Sequence, residues 1–289
     1  MSAHLIIHDG SPYWWDSPDI WVVPGSDPNG APGAPIAGTT NYLWARVANS
    51  GNSQANGVRI DFYWADPSAQ IAVGNATQIG SAFADLAPGE TQEVLCLVPW
   101  LPVIVNNGHE CLLAVAHGAN DINPIPDPLP NGYVFDPTAH EQIAQHNVDI
   151  VLAARFARLL TLAVNALPRA PKRVQVALEY GGDIDPRLLE ALGLAKLTPA
   201  TQAVVEAWLS REAHCGDGGG EGDNNPKEGA QELTVELPRG TSTAVYLSVR
   251  AGKLPYGQYQ LLRVLERQDK KLLGGVTYLI VNPHEEQAP

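Results

Sequence analysis

Val58, Ile60, Phe62 and Trp64 fall on every second position of the run Val58-Arg59-Ile60-Asp61-Phe62-Tyr63-Trp64, and this alternation constrains the fold more than any other feature. Side chains change faces at each residue of a strand, so these four put one apolar face against a core. Tyr42 to Asn49 alternates in the same sense, and Ser50-Gly51-Asn52-Ser53 between the two runs forms turns. Further strands are expected at Trp15–Val23, Glu93–Val98, Glu110–Ala116, Val174–Tyr180, Glu232–Leu237, Ser242–Val249, Tyr259–Arg267 and Gly275–Val281. The 27 glycines and 24 prolines follow no collagen-like period and punctuate these runs, as in an all-β protein of short segments.

Three stretches are not plain strands. Residues 148–167 fit helix or strand by periodicity and are read as linking strands. Asp185-Pro186 has the form of an N-cap followed by proline at the first helical position, opening a helix Arg187–Leu192 that closes at Gly193. Thr198-Pro199 repeats that opening, and a longer helix is expected over Ala200–His214, with Val204, Val205, Trp208 and Leu209 on its apolar stripe. The Gly/Asp/Asn run from Gly216 to Gly229 reads as a loop.

The order of turns in the first half carries a resemblance. An Asn49-Ser50-Gly51 turn follows an early strand, Leu86-Ala87-Pro88-Gly89-Glu90 precedes a middle one, and an Asp/Asn-rich exit runs from Asn120-Asp121 to His146-Asn147. Over residues 38–150 this resembles the CARDB-like branch of bacterial immunoglobulin-like domains. The chain departs from that pattern in a long insertion, Gly118 to Gln145, and in lacking a closing pair of asparagines. Leu237-Pro238-Arg239-Gly240-Thr241-Ser242 and Leu254-Pro255-Tyr256-Gly257-Gln258-Tyr259 resemble the proline-glycine turns before late strands of bacterial sandwich domains. The resemblance implies an adhesive or scaffolding habit and brings no catalytic residues. The expected fold is mainly β, with two immunoglobulin-like β-sandwich domains in tandem. The first spans 1–147 with an aromatic N-terminal extension, and the second spans 148–289 with a helical insertion near 183–230.

The charge narrows the partners. A net charge of −13 repels phosphate backbones, and no basic stripe with interleaved aromatics occurs, so nucleic acid is not an expected ligand. No run approaches the ~20 apolar residues of a membrane span. The segment Met1–Asp9 has neither a basic n-region nor a long apolar h-region. Unless a leader is missing from this sequence, the chain is expected in the cytoplasm or exported by a route without a cleaved signal. Cys96, Cys111 and Cys215 are too few for a disulfide framework; Cys96 and Cys111 could pair if the fold brought them together, but both sit in apolar strand-like runs and are expected as reduced, buried thiols.

Four groups invite a chemical reading. His109, Cys111 and His117 have strand spacing that puts His109 and Cys111 on one face, as in a metal site, but no fourth ligand is evident. The plainer reading is a buried cysteine beside a surface histidine. Asp121, Asp127 and Asp136 lie in the proline-rich insertion, where carboxylates either cap turns or build an oxygen cage for Ca2+. Asp217, Glu221 and Asp223 lie in the Gly-rich loop without EF-hand spacing. Tyr13, Trp14 and Trp15 are read as a packed lid or as an aromatic patch for a glycan or protein.

No Gly-x-Ser-x-Gly, phosphate loop, dinucleotide fingerprint or His-Glu-x-x-His occurs. The expected function is therefore non-catalytic: a structural or protein-interaction protein, without a cofactor, that binds itself or another subunit. The alternatives are a carbohydrate-binding accessory module and a metal-dependent enzyme centred on His109, Cys111 and His117.

Overall fold

A computed structural model of the chain describes residues 1–289 except 66–70, 103–110, 153–157, 166–171, 202–204, 212–228, 239–241, 252–253, 270 and 283–289. The described residues form four sheets, packed as two pairs, and each pair closes over its own core.

The first pair is built from β1 (Leu5–Ile6), β2 (Ile20–Pro24), β3 (Asn41–Asn49), β4 (Ala55–Ala65), β5 (Ala76–Leu86), β6 (Thr91–Trp100), β7 (Cys111–His117) and β8 (Ile143–His146). β6 runs along one side of β3, so β1 and β2 divide the other side between them. The facing sheet has the order β5-β4-β7-β8. Two sheets packed face to face over one core make a β-sandwich. The alternation at Val58, Ile60 and Phe62 is realised as expected, with all three buried between the sheets beside Leu43, Ala45 and Val47 of β3. Trp64 packs at the margin of that core and Trp100 lies within it.

β7 is buried along its whole length, not on alternate residues. Leu112, Ala114 and Ala116 face the core between the sheets, whereas Cys111, Leu113 and Val115 face the other way. The insertion at 118–145 supplies the cover, with Ile125 and Phe135 packing over that outer face. Its length thus serves to bury the second side of a sheet.

The second pair comprises β9 (Val148–Leu152), β10 (Arg158–Asn165), β11 (Lys172–Tyr180), α1 (Pro186–Ala191), β12 (Thr198–Pro199), β13 (Val205–Ser210), β14 (Glu232–Leu237), β15 (Ser242–Ala251), β16 (Gln258–Gln268) and β17 (Lys271–Asn282). One sheet is β10-β15-β13; the other is β14-β11-β16-β17-β9, with β9 parallel to β17 and β12 parallel to β16. Val174, Val176, Leu209, Val235, Leu247, Leu262 and Ile280 fill the space between them.

The helix at Asp185-Pro186 forms as the sequence predicts. The Asp185 carboxylate accepts from Arg187 N at 2.9 Å, and Gly193 follows at φ +71°. The helix expected over 200–214 does not form. Residues 205–210 are instead strand β13, paired with β15 from Val205↔Ala251 to Ser210↔Tyr246. Val205, Ala207 and Leu209 are buried in alternation, so period two wins over the three-to-four spacing of Val205, Trp208 and Leu209. Thr198-Pro199 forms a two-residue parallel bridge to β16. Among the described residues the insertion is helical over six, Pro186–Ala191, and its β13 belongs to a sheet of the second pair.

Candidate functional site

Where the two sheet pairs meet, an open cleft of about 360 Å³ lies between the outer face of β2 and β3 and helix α1. Cross-strand pairing sets Trp21 of β2 opposite Trp44 of β3. Their rings stack at 6.0 Å with 7° between planes, an arrangement worth ~1 kcal/mol beyond burial. Ala191 of α1 packs against Trp21 and Val23. The loop after β2 closes one wall: Trp44 donates its indole N–H to the Pro28 carbonyl at 2.9 Å. Pro32 lies so close to the helix end that a Cβ on Gly193 would sit 2.5 Å from its carbonyl oxygen. The structure leaves Trp44 half-buried in the cleft wall.

Charged groups rim this apolar floor. Arg46 lies over Trp21, 5.5 Å from the ring centroid, and bonds Asp19 and Glu93 at 2.9 Å each. Arg187 of α1 bonds Asp185 at 2.8 Å and reaches the same Asp19 oxygen at 3.4 Å. Asp19, buried from solvent, thus joins the two guanidinium groups across the junction. The Arg187 side chain, by hydrogen bonding, holds Asp185 below the ordinary carboxylate range. Sequence reasoning missed this site because its residues are scattered through positions 18–46, Glu93 and 187–191. The signal present was Trp21 and Trp44 on outward positions of neighbouring strands.

The aromatic extension is turned inward. Trp15 is fully buried and Trp14 nearly so, against Leu265 of β16. Gly275 leaves room for the Trp15 ring, since a Cβ there would meet it at 2.5 Å. Tyr13 donates to Glu179, and the Arg263 guanidinium covers its ring at 3.8 Å. Arg263 also donates to the Gly181 and Asp183 carbonyls at 3.1 and 2.9 Å. Burial pushes the Asp16 carboxyl up to about 7, against the opposing pull of Thr277 and Arg263. Of the three residues, then, Trp14 and Trp15 are placed as packing between the sheet pairs.

The metal candidates are dispersed. His109 lies outside the described residues, as do Asp217, Glu221 and Asp223. Cys111 and His117 share a face of β7 but stand at its two ends, ~20 Å apart at a strand's rise, too far for one ion. Cys111 is a buried free thiol whose pKa burial raises; Cys96 is likewise free and buried. His117 is itself buried. Its Nε2 stands 3.2 Å from Asp61 Oδ2, while Ser81 donates to Asp61 Oδ1 at 2.6 Å. The carboxylate therefore sits between hydroxyl and imidazole, so the histidine is not placed to take the serine proton. Burial pushes Asp61 up, yet His117, Ser81 and Arg59 outweigh it and leave its pKa lowered.

Asp121, Asp127 and Asp136 are engaged separately. Asp121 accepts from Leu5 N, Asn123 N and Gln142 Nε2 at 2.7, 2.8 and 2.9 Å. Asp127 pairs with Arg59 at 2.7 Å, and Asp136 caps a turn through Thr138. Among the described residues no group of three or more His, Cys, Asp or Glu is arranged to hold a metal ion.

No protein-family model matches the chain, and no curated protein matches it. Solved structures with some likeness include red sea bream transglutaminase (TM-score 0.21, 12% identity, 92% of this chain and 31% of that one). The chain spans under a third of that protein's length. Others are the collagen adhesin CNA from S. aureus (TM-score 0.21, 8% identity, 91% and 92% covered) and the CupB6 tip adhesin from Pseudomonas aeruginosa (0.20, 10%, 98% and 99%). Likenesses this low fix neither topology nor function.

Proposed function

We propose that this chain is a non-catalytic interaction protein: two immunoglobulin-like domains, 1–147 and 148–289, locked together so that the cleft at their junction receives a partner. The carrying observation is the cleft itself, with a stacked tryptophan pair from one sheet pair facing a charged helix from the other. Aromatic and arginine side chains in a fixed concave surface are the anchors of protein interfaces. The resemblance of 38–150 to CARDB-like domains is supported by one contact. The Asn49 side chain bonds the Leu86 and Ala87 carbonyls at 3.0 and 3.3 Å, joining the two turns that carry the resemblance. Among the described helices none is long and apolar enough to cross a membrane.

The test compares the wild-type chain with a Trp44→Ala/Glu190→Ala variant whose circular dichroism and melting are unchanged. Light scattering across a concentration series reads self-association, and quantitative pull-down reads foreign partners. An oligomer or a retained partner that the variant loses supports the cleft as the interaction site. Identical behaviour of the two proteins overturns it.

A further inference from the structure

Resting on that cleft as the partner site, we propose that it takes a lysine or arginine side chain projecting from a partner protein. The local charge points this way. Four carboxylates, Asp19, Asp185, Glu93 and Glu190, stand around two guanidinium groups, those of Arg46 and Arg187. Each arginine is already shared between two of these carboxylates. Glu190 is left exposed on α1 and has no ion-pair partner among the described residues. One further cation brings the site nearer to balance; an anion meets excess negative charge.

The molecule displays the mode of capture in miniature. Arg46 lies over the Trp21 ring with Asp19 and Glu93 bonded to its two ends. Trp44, stacked next to Trp21, and Glu190 line the same cleft, and among the described residues neither has a cation of its own. A cation near an indole gains ~0.5–2 kcal/mol, more as water is excluded. The cleft of about 360 Å³ admits a long side chain with its flanking backbone. The net charge of −13 draws cationic partners from a distance.

The full chain labelled with 5-fluorotryptophan tests this, its Trp21 and Trp44 fluorine resonances assigned through Trp21→Phe and Trp44→Phe. The probes are a capped pentapeptide with one central arginine, the same peptide with neutral citrulline, and a neutral oligosaccharide. The arginine peptide is expected to shift the Trp44 resonance at low salt, with citrulline at least tenfold weaker. Glu190→Gln should weaken the arginine peptide roughly threefold, as fits an exposed charge pair, while Glu236→Gln on β14 leaves it unchanged. Equal binding of arginine and citrulline, or indifference to Glu190→Gln, overturns the cation and leaves the cleft standing. A shift by the oligosaccharide alone does the same. Silence of both rings to all three probes overturns the cation and counts equally against the cleft as a binding site.

Discussion

Thr277 and Asp16 stand 261 positions apart in the chain, and the threonine Oγ1 lies 2.7 and 2.8 Å from the two carboxylate oxygens of the aspartate. The same hydroxyl accepts the Trp15 indole N–H at 3.1 Å. Asn147 ties the joint from the third side, its N–H to the Trp15 carbonyl and its side-chain amide to the Gly275 carbonyl, at 2.8 Å each. The N-terminal segment is thereby bolted to β17, near the last residues described. This joint fixes the geometry of the cleft, because α1 belongs to one side of it and Trp21 to the other.

Stability should fall as pH rises from acid to neutral. Burial raises Asp16 from 3.8 to about 7 and Glu266, whose Oε2 has no hydrogen-bond partner among the described residues, from 4.5 to about 8. Folding therefore takes up protons between the unfolded and folded values. Their contribution is complete below those unfolded values and is lost progressively up to about 7 and about 8. Each group gives a slope of about 1.4 kcal/mol per pH unit within its window. Asp61, Asp127 and Asp185 are lowered and oppose this only when the pH falls below the ordinary carboxylate range. Urea unfolding from pH 4 to 9 should show the decline. Asp16→Asn and Glu266→Gln should each flatten it in their own windows. Stability rising steadily from pH 5 to 8 would mean that both carboxyls are ionised and compensated in the fold.

Thr277→Val keeps the shape of the joint and removes its hydroxyl. Trp15 Nε1 and the Asp16 carboxyl would then be buried without that partner, which costs ~2–4 kcal/mol for the two groups. The loss should appear in denaturant midpoints. Limited proteolysis should show earlier cutting near Gly10, and Thr277→Ser should restore most of the stability. A neutral Thr277→Val variant would show that the joint carries no such energy.

How far the sequence reveals this molecule depends on the range of each contact. Strands with strict alternation, such as Val58–Trp64, are legible because one buried face suffices to define them. The helix cap at Asp185-Pro186 is legible because its hydrogen bonds are local. β13 is not: Val205, Trp208 and Leu209 satisfy a helical stripe as well as Val205, Ala207 and Leu209 satisfy a strand, and β15 decides between them. The cleft is not legible either, since Trp21, Trp44 and Glu190 meet only after both sheet pairs have formed. The buried fate of Trp15 hinges on Gly275, far along the chain, whose missing side chain makes the space.

The two described cysteines should be inert in the native state. Both are buried and apolar in surroundings, and burial raises both thiols, disfavouring the nucleophilic thiolate. In a Cys215→Ser variant, a thiol reagent should react with neither Cys96 nor Cys111 until denaturant is added, and then with both. Rapid labelling under native conditions would place one of them at an accessible surface.

Asn49 should be among the costliest polar residues to replace. It is fully buried at the end of β3, where its Oδ1 accepts from His4 N and Gly51 N at 3.1 Å each. Its Nδ2 donates to Ser53, Leu86 and Ala87 carbonyls, and its own backbone exchanges bonds with Glu90 and Gly89. One amide thus holds together the N-terminal strand, the turn after β3 and the turn before β6. Asn49→Ala leaves several buried backbone groups unpaired, each worth ~1–3 kcal/mol, and should lower stability by roughly 3 kcal/mol or more. Asn49→Asp keeps the shape but turns a second acceptor towards three carbonyls, so it should fare no better at neutral pH. Its deficit should shrink in acid, where the protonated carboxyl regains a donor. Denaturation of both variants at pH 7 and pH 4 reads this directly. An Asn49→Asp variant as stable as wild type at pH 7 would show that the carbonyl contacts of Nδ2 do not hold the turns.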